Sequence, residues 1–363
     1  MKNIVNFKIF EIVFVSIIIS LCFLPGIGIF FFEDNVSFEK REKIAFNTIL
    51  EKGILRKDIF SDLEVYFSDN FYLRRQIIHR YSKINNKWFG LPLVNEVLIG
   101  EDGWLFFNNK HLMKSYKNLN ILDENALLMY KEKFDNFYNT LKENNISFYF
   151  FLAPNKSSIY NEFMPPYIKK INDISRAEQM SQNLNSNYFL DLTKDIKSFK
   201  KMGFLYYKND THWNRLGGFL GFLTFYNTFL SRDFNFSKLN INDFSIEQQN
   251  IFRKGDLDNM LGHEEEKDAI DFKIEFSDNE FNVEMINEYK HFITKNPNGE
   301  KLKVLIYRDS FFSNMYEYFS KTFFEVEFIW NFELDLDLII KNKYDIVILE
   351  CVERNVDAIE IPK

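Results

Sequence analysis

The 363-residue sequence predicts an α/β fold, a mostly parallel sheet with helices on both faces, behind an N-terminal transmembrane helix. Three observations predict it. Five short, nearly continuous apolar runs recur after residue 145, and strands buried on both faces read this way. Helix-patterned segments separate several of them, the alternation expected of crossovers in a parallel sheet. From Ile12 to Phe32 there are 21 residues without a charge. As a helix of about 1.5 Å rise per residue, that run crosses an apolar layer of about 30 Å.

The elements follow in order. Lys2 and Lys8 precede the apolar run, and Glu33 and Asp34 follow it. The positive-inside bias then leaves the N-terminus in the cytoplasm and everything after residue 33 outside it, a single-pass protein of the cell membrane. A cleaved signal peptide would have a shorter apolar core and an Ala-x-Ala type cut site, which "PGIGIFFFEDN" lacks, so residues 1–33 read as an uncleaved anchor. Glu11 at the inner edge can reach the headgroups. Leu21 stands before Cys22 where a lipidated cysteine wants a small residue, so no lipoprotein is expected.

Residues 34–57 are polar and of mixed charge, a juxtamembrane linker, and 58–363 read as one globular domain. Within it, residues 58–90 carry apolar positions at helical spacing and stop at Gly90 before Pro92, which predicts one or two helices. "VLIGEDGWLFF" (97–107) reads as a hairpin turning at Glu101, Asp102 and Gly103. A mainly polar helix follows from about Glu124 to Asn144. The strand runs are 146–154, 188–193, 303–309, 323–330 and 344–350. Residues 243–298 break the alternation and predict an inserted strand-rich or loop-rich element, with the acidic run Glu264–Asp268 as a solvated face.

Composition narrows the chemistry. A net charge of -7 gives no basic footprint, so no nucleic-acid partner is expected. Phe and Tyr number 43 and 18, a richness that compositional bias alone can produce. It is no evidence for sugar stacking. Two cysteines, Cys22 and Cys351, make neither a disulfide framework nor a Cys-x-x-Cys site, and five histidines show no His-x-x-x-His spacing. No metal and no bound cofactor is called for.

In an open α/β sheet the chemistry belongs at the carboxyl ends of the strands. One such end is "KVLIYRDSFFSNMYEYFS", where a strand finishes at Tyr307 and an amphipathic helix is expected directly after Arg308, Asp309 and Ser310. That puts the Ser310 hydroxyl beside helix N–H groups able to stabilise an oxyanion. Helix capping explains Asp309 or Ser310 just as well when the turn is taken alone. The segment "NDTHW" (209–213) shifts the balance. A serine hydroxyl is a poor nucleophile unless a base takes its proton, and the base works best when a carboxylate fixes its tautomer. Asp210 and His212 supply that pair, and no other histidine has an aspartate two residues before it.

Further candidates are open to two readings. The backbone N–H of Ser310 and the Tyr316 side chain are oxyanion candidates. Trp213 and Trp104 can stack on a sugar or pack in the core. Lys156 and Tyr160 can line the cleft or hold a helix cap. Arg308 can steer an anionic polymer or pair with a neighbouring acid. Glu350, Glu353 and Arg354, in "ECVER", suggest an internal ion pair.

"DGWLFF" (102–107), "APNKSSIY" (153–160), "YYKNDTHWNRLGG" (206–218), "GDLDNML" (255–261) and "RDSFF" (308–312) stand in a familiar order. From about residue 58 to its end the chain resembles the AlgX/AlgJ-type SGNH hydrolase-like family. The resemblance implies a three-layer α/β/α sandwich and O-acetylation of a secreted or cell-surface polysaccharide. It puts the family's Asp-x-His pair on Asp210 and His212 and its nucleophile on Ser310. It also implies an MBOAT-type membrane acyltransferase as the source of the acetyl group, because acetyl-CoA is confined to the cytoplasm. Relatives often have Gly-Asp-Ser where this chain has Arg308, Asp309 and Ser310. A carbohydrate acetylesterase with the same three residues, or a non-catalytic polysaccharide-binding assembly subunit, also fits the sequence.

Overall fold

The computed structural model describes residues 12–20, 59–70, 80–81, 95–263 and 265–362. The chain divides into two compact units, one of Met1–Asn95 with Asp258–Glu264 and one of Glu96–Leu257 with Glu265–Lys363. In the first, residues 12–20 and 80–81 are helical and α1 spans Ile59–Asn70. No helix among the described residues is long and apolar enough to cross a membrane. Residues 21–32 of the expected span and the 34–57 linker lie outside the described residues, as does most of 71–94.

The second unit begins with the expected hairpin, β1 (Val97–Ile99) against β2 (Leu105–Phe107). Its turn holds Asp102 and Gly103 at φ of 50° and 74°, the left-handed region that asparagine, aspartate and glycine tolerate best. Helices α2 (Lys110–Tyr116) and α3 (Glu124–Glu143) follow. Asp123 caps α3 by accepting from Ala126 N at 2.8 Å. Phe134, Phe137 and Leu141 then fall on one face of it and are buried.

All five apolar runs are strands: β3 (Ser147–Ala153), β4 (Phe189–Asp191), β9 (Glu300–Tyr307), β10 (Phe323–Ile329) and β11 (Ile346–Val352). They pair in parallel in the order β4-β3-β11-β9-β10. Side chains of a strand alternate between faces. Accordingly Tyr149, Phe151 and Ala153 of β3 enter one core, and Phe148, Phe150 and Leu152 enter the other. Helix α3, α4 (Arg176–Asn183) and α5 (Leu336–Asn342) cover the second face. The first face is covered by α6 (Arg215–Phe225) and α7 (Tyr316–Thr322). Each fully buried phenylalanine contributes roughly 1.5–3 kcal/mol of burial free energy, so this doubly covered sheet is the main source of stability.

The inserted element has two fates. Its first half, β5 (Ser245–Arg253) and β6 (Lys267–Glu275), is a separate antiparallel hairpin. Its second half, β7 (Asn282–Asn287) and β8 (His291–Lys295), extends the main sheet antiparallel beyond β10. Stacking of Phe292 on Phe328, with ring centroids 4.6 Å apart, holds β8 in that place. Glu265, Glu266 and Asp268 are exposed, a solvated face.

One sequence expectation fails locally. Ser310 does not open an α-helix but a five-residue 3₁₀ turn, Ser310–Asn314, and α7 starts only at Tyr316. Phe311, Phe312 and the Met315 that follows are all fully buried, so the turn is packed into the core up to the start of α7.

Candidate active site

Two segments meet at the carboxyl edge of the sheet. The first is the loop before α6. A bridge between Tyr206 and Trp213 closes it, and Asn214 caps α6 by accepting from Gly217 N at 3.0 Å. The buried Lys156 ammonium donates to the carbonyls of Tyr207, Lys208 and Asp210 at 3.1, 3.1 and 2.7 Å. Three backbone oxygens thus replace its water, and the loop is fixed around it.

The second segment is the turn after β9. Asp309 accepts from Phe311 N (2.8 Å) through one oxygen, and from Val352 N (3.0 Å) and Asn355 Nδ2 (3.2 Å) through the other. Its own N–H donates to Glu350 Oε2 at 3.0 Å. Two further bonds tie the segments together, Trp213 Nε1 to Phe311 O and Asn314 Nδ2 to Trp213 O, each 2.7 Å. Gly218 allows this closeness, because a Cβ there would lie 2.4 Å from Asn314 O.

The structure brings Ser310, His212 and Asp210 together. His212 Nε2 is 2.7 Å from Ser310 Oγ, and His212 Nδ1 is 2.7 Å from Asp210 Oδ1. A carboxylate at Nδ1 holds the proton there and leaves the Nε2 lone pair facing the hydroxyl. His212 N also donates to Asp210 Oδ1 at 3.0 Å, which fixes the acid's rotamer. Burial alone pushes the Asp210 carboxyl upward. The hydrogen bond and charge of His212, with the Arg253 charge, outweigh that and hold it well below the usual carboxylate range.

Arg253 and Asp256 are the residues that sequence reasoning missed. Arg253 Nη2 donates to Asp210 Oδ2 at 3.0 Å, with its guanidinium 3.7 Å from the Tyr207 ring centroid. Asp256 N donates to the same oxygen at 3.2 Å, and the Asp256 carboxylate accepts from Thr211 N and Oγ1 at 2.8 and 2.6 Å. Gly255 makes the approach possible, since a Cβ there would sit 1.9 Å from Asn209 O. The glycine and Asp256 lie in the quoted "GDLDNML", but nothing in its spacing names a partner some 45 residues earlier. Asp210, His212 and Asp256 each bring one ligand atom within 4.8 Å of the others. Each of those side chains is already engaged in the hydrogen bonds above, so a cation would have to displace them.

The other sequence candidates separate by burial. Trp213 is fully buried as a strut between the segments, so neither ring face can meet a sugar. Tyr160 is buried and its hydroxyl accepts from Leu205 N at 2.9 Å. Trp104 is buried between Tyr160 and Phe163. Lys156 faces the loop carbonyls. Arg308, 3 % exposed, donates to Asp309 O and Tyr289 O and packs on Phe292 and Trp330. Its guanidinium is therefore not placed to contact a passing polymer directly. Tyr316 alone of these reaches the surface, at 36 % exposed, with its ring edge-on to Phe292 and Phe328.

The expected ion pair in "ECVER" is absent among the described residues. Arg354 donates to Asn155 Oδ1 at 2.8 Å, while Glu353 accepts from Asn155 N at 2.8 Å and from the Ser158 hydroxyl. Burial pushes the Glu353 carboxyl up to about 7 and that of Glu350 well above its usual range.

The family of SGNH hydrolase-like domains described by the acetyltransferase AlgX matches residues 97–283, just over half of the chain. The chain belongs to this family. No curated protein sequence matches it. Among solved structures, this AlgX-family domain is similar to PatB1 of Bacillus cereus, with 15 % identity and a TM-score of 0.55 over 73 % of this chain and 99 % of that one. PatB1 with a sulfonyl adduct matches at 17 % identity and 0.56, over 72 % of this chain and 95 % of that one. A DHHW family protein of Eubacterium siraeum matches at 13 % identity and 0.50, over 74 % and 93 %. These likenesses establish the α/β fold that the AlgX-family domain shares with them.

Proposed function

We propose that this chain is an O-acetyltransferase that moves an acetyl group through a serine acyl-enzyme onto a secreted or cell-surface polysaccharide. The observation that carries the reading is the unbroken line Ser310 Oγ, His212 Nε2, His212 Nδ1, Asp210 Oδ1, with both hydrogen bonds at 2.7 Å. Membership of an acetyltransferase domain family supports the acyl group.

In the first half-reaction Ser310 Oγ attacks the acetyl carbonyl carbon of the donor and its proton passes to His212 Nε2. The tetrahedral intermediate expels the donor's leaving atom, which takes that proton, and the acetyl group stays on Ser310. In the second, a sugar hydroxyl attacks the Ser310 ester while His212 takes its proton. Ser310 Oγ leaves and is reprotonated by His212. Asp210 stays ionised throughout and steadies the imidazolium. Acetyl-CoA is cytoplasmic, so a domain held outside the membrane by the apolar run 12–32 needs an acetyl group delivered across it. A multipass acyltransferase of the MBOAT type supplies that group in this reading.

The test uses the purified full-length chain in detergent with p-nitrophenyl acetate as donor, with and without oligosaccharide acceptors, and reads products by mass spectrometry. Acetylated Ser310 and acetylated sugar are expected, and Ser310→Ala should lose about 10⁴-fold or more in rate. Wild-type transfer by Ser310→Ala sinks the proposal. Acetylated Ser310 that yields only acetate, whatever acceptor is present, makes the protein an esterase instead.

A further inference from the structure

Three large aromatic side chains stand exposed near the end of the sheet that carries Ser310, two beside strand ends and Tyr316 at the start of α7. Tyr289 is 57 % exposed, Trp330 38 % and Tyr316 36 %. Ser310 follows β9, Trp330 follows the neighbouring β10, and Tyr289 sits in the β7–β8 turn beside the end of β10. Backbone bonds hold these three ends in line: Arg308 N donates to Ile329 O at 2.9 Å, and Trp330 N donates to Lys290 O at 2.8 Å. Neighbouring strands lie about 4.8 Å apart, so the aromatic surface begins about one strand from the serine.

The side chains form one contact chain. Tyr316 meets Phe292 edge-on at 5.9 Å, the Arg308 guanidinium lies 5.5 Å from Phe292 and 4.9 Å from Trp330, and Trp330 meets Tyr289 at 5.9 Å. Arg308 also donates to Tyr289 O. This buried cation, two residues before Ser310, fastens the aromatic stripe to the nucleophile's own turn. Being 3 % exposed, it offers a ligand almost no donor, and the exposed Glu288 and Lys290 on either side of Tyr289 carry opposite charges. The three aromatic residues present ring area and phenol hydroxyls, a surface suited to the C–H face and hydroxyl rim of a neutral sugar. It is poorly suited to an anionic group.

We propose that Tyr316, Trp330 and Tyr289 form a subsite for the acceptor glycan, running outward from Ser310 along the carboxyl edge of the sheet. This rests on the transferase reading above and assigns it a binding surface for sugar units beside the one that is acetylated. Its occupant is a polysaccharide chain, because the aromatic residues are joined to the turn whose ester the polymer would attack, and a neutral one, because the charges beside them are of both signs.

The experiment measures acetyl transfer from p-nitrophenyl acetate to cellotetraose and to chitotetraose by the full-length chain. Trp330→Ala and Tyr289→Ala should each raise the acceptor KM by about tenfold, with a smaller effect on kcat, the signature of lost binding rather than lost chemistry. Trp330→Phe should stay within about threefold of wild type, since it keeps a ring over Arg308. Tyr289→Ala guards against a Trp330→Ala chain that folds poorly. Unchanged KM in both alanine variants overturns the subsite and leaves the transferase reading standing. So does an acyl-enzyme that passes acetyl to neither tetrasaccharide. Wild-type self-association in sedimentation that Trp330→Ala abolishes would give the stripe to a second copy of the chain, which also overturns it. Failure to form any acyl-enzyme removes the functional reading itself, and the subsite with it.

Discussion

Asp210 has two carboxylate oxygens and both are committed. Oδ1 serves His212, and Oδ2 serves Arg253 and Asp256 N. Replacing it with asparagine keeps the shape but offers Nδ1 no carboxylate, so the imidazole can take the wrong tautomer. Asp210→Asn should slow acylation of Ser310 by about 10⁴-fold and also lower the thermal melting point at neutral pH, where the carboxylate's contribution to stability is present. A sulfonyl fluoride labelling rate measures this directly, and a fall below about tenfold would remove Asp210 from the role. Arg253 acts through Asp210, so it is a positioning residue. Arg253→Gln should slow labelling by roughly tenfold, and most at low pH, since the carboxyl it helps hold down then protonates more easily. Asp210's contribution to stability is present above the ordinary aspartate value and is lost as pH falls through its depressed folded value. Arg253→Gln should therefore melt below wild type at neutral pH, with the gap closing as pH falls through the depressed value and Arg253→Lys intermediate. A labelling profile parallel to wild type at every pH would show that Arg253 does not tune the acid. Of this site, the sequence disclosed Asp210, His212 and Ser310, the residues of the proposed catalytic line, because a turn of three residues puts Asp210 and His212 side by side. It did not disclose Arg253, whose contact crosses 43 positions.

At the level of elements, α6 packs directly against the turn that carries Ser310, and a spacer role between Ser310 and His212 is predicted for it. Gly218 faces the backbone of Asn314, where a methyl group would lie 2.4 Å from the carbonyl oxygen, whereas at Gly221 it would meet a Trp213 ring carbon at 3.1 Å. Backbone cannot give way as a ring can. Gly218→Ala should cost about 1–3 kcal/mol in overpacking and slow Ser310 labelling by pushing the two segments apart. Gly221→Ala should do less of both. Calorimetry with labelling rates compares them, and equal effects would show that α6 is not the spacer. The strands were legible from their apolar runs, and α3 from its cap and spacing. The turn at Ser310 was not, since Phe311 and Phe312 look equally compatible with an amphipathic helix until their separate pockets are seen. Phe311 packs on Trp213 and His212, Phe312 on Phe151 and Phe319. Nor was it legible that β7 and β8 join the main sheet while β5 and β6 do not, because strand pairing is decided by partners far away in sequence.

For the second compact unit as a whole, pH acts through acids buried under the sheet's carboxyl edge. Glu353 is buried, and desolvation pushes its carboxyl up to about 7. A folded value above the unfolded one means the protonated form favours folding. That contribution is complete below about pH 4.3 and is lost as pH rises through about 7, a change of roughly 3 kcal/mol. Glu353→Gln keeps an oxygen to accept from Asn155 N and Ser158 and cannot ionise. It should lose less melting temperature than wild type between pH 5 and pH 8. Equal losses in the two proteins would mean that Glu353 does not set this dependence.

The sequence by itself determined the α/β class, the parallel strands and the three residues of the proposed catalytic line. Each of these is written in local pattern, an apolar run, a helical spacing or an Asp-x-His turn. Only the tertiary structure decided that Lys156, Tyr160, Trp213 and Arg308 face inward, that Arg253 backs Asp210, and that Trp330 and Tyr289 lie exposed beside the serine. Whether a polar or aromatic side chain meets solvent or core depends on which distant segments pack over it, and a linear pattern carries no record of that.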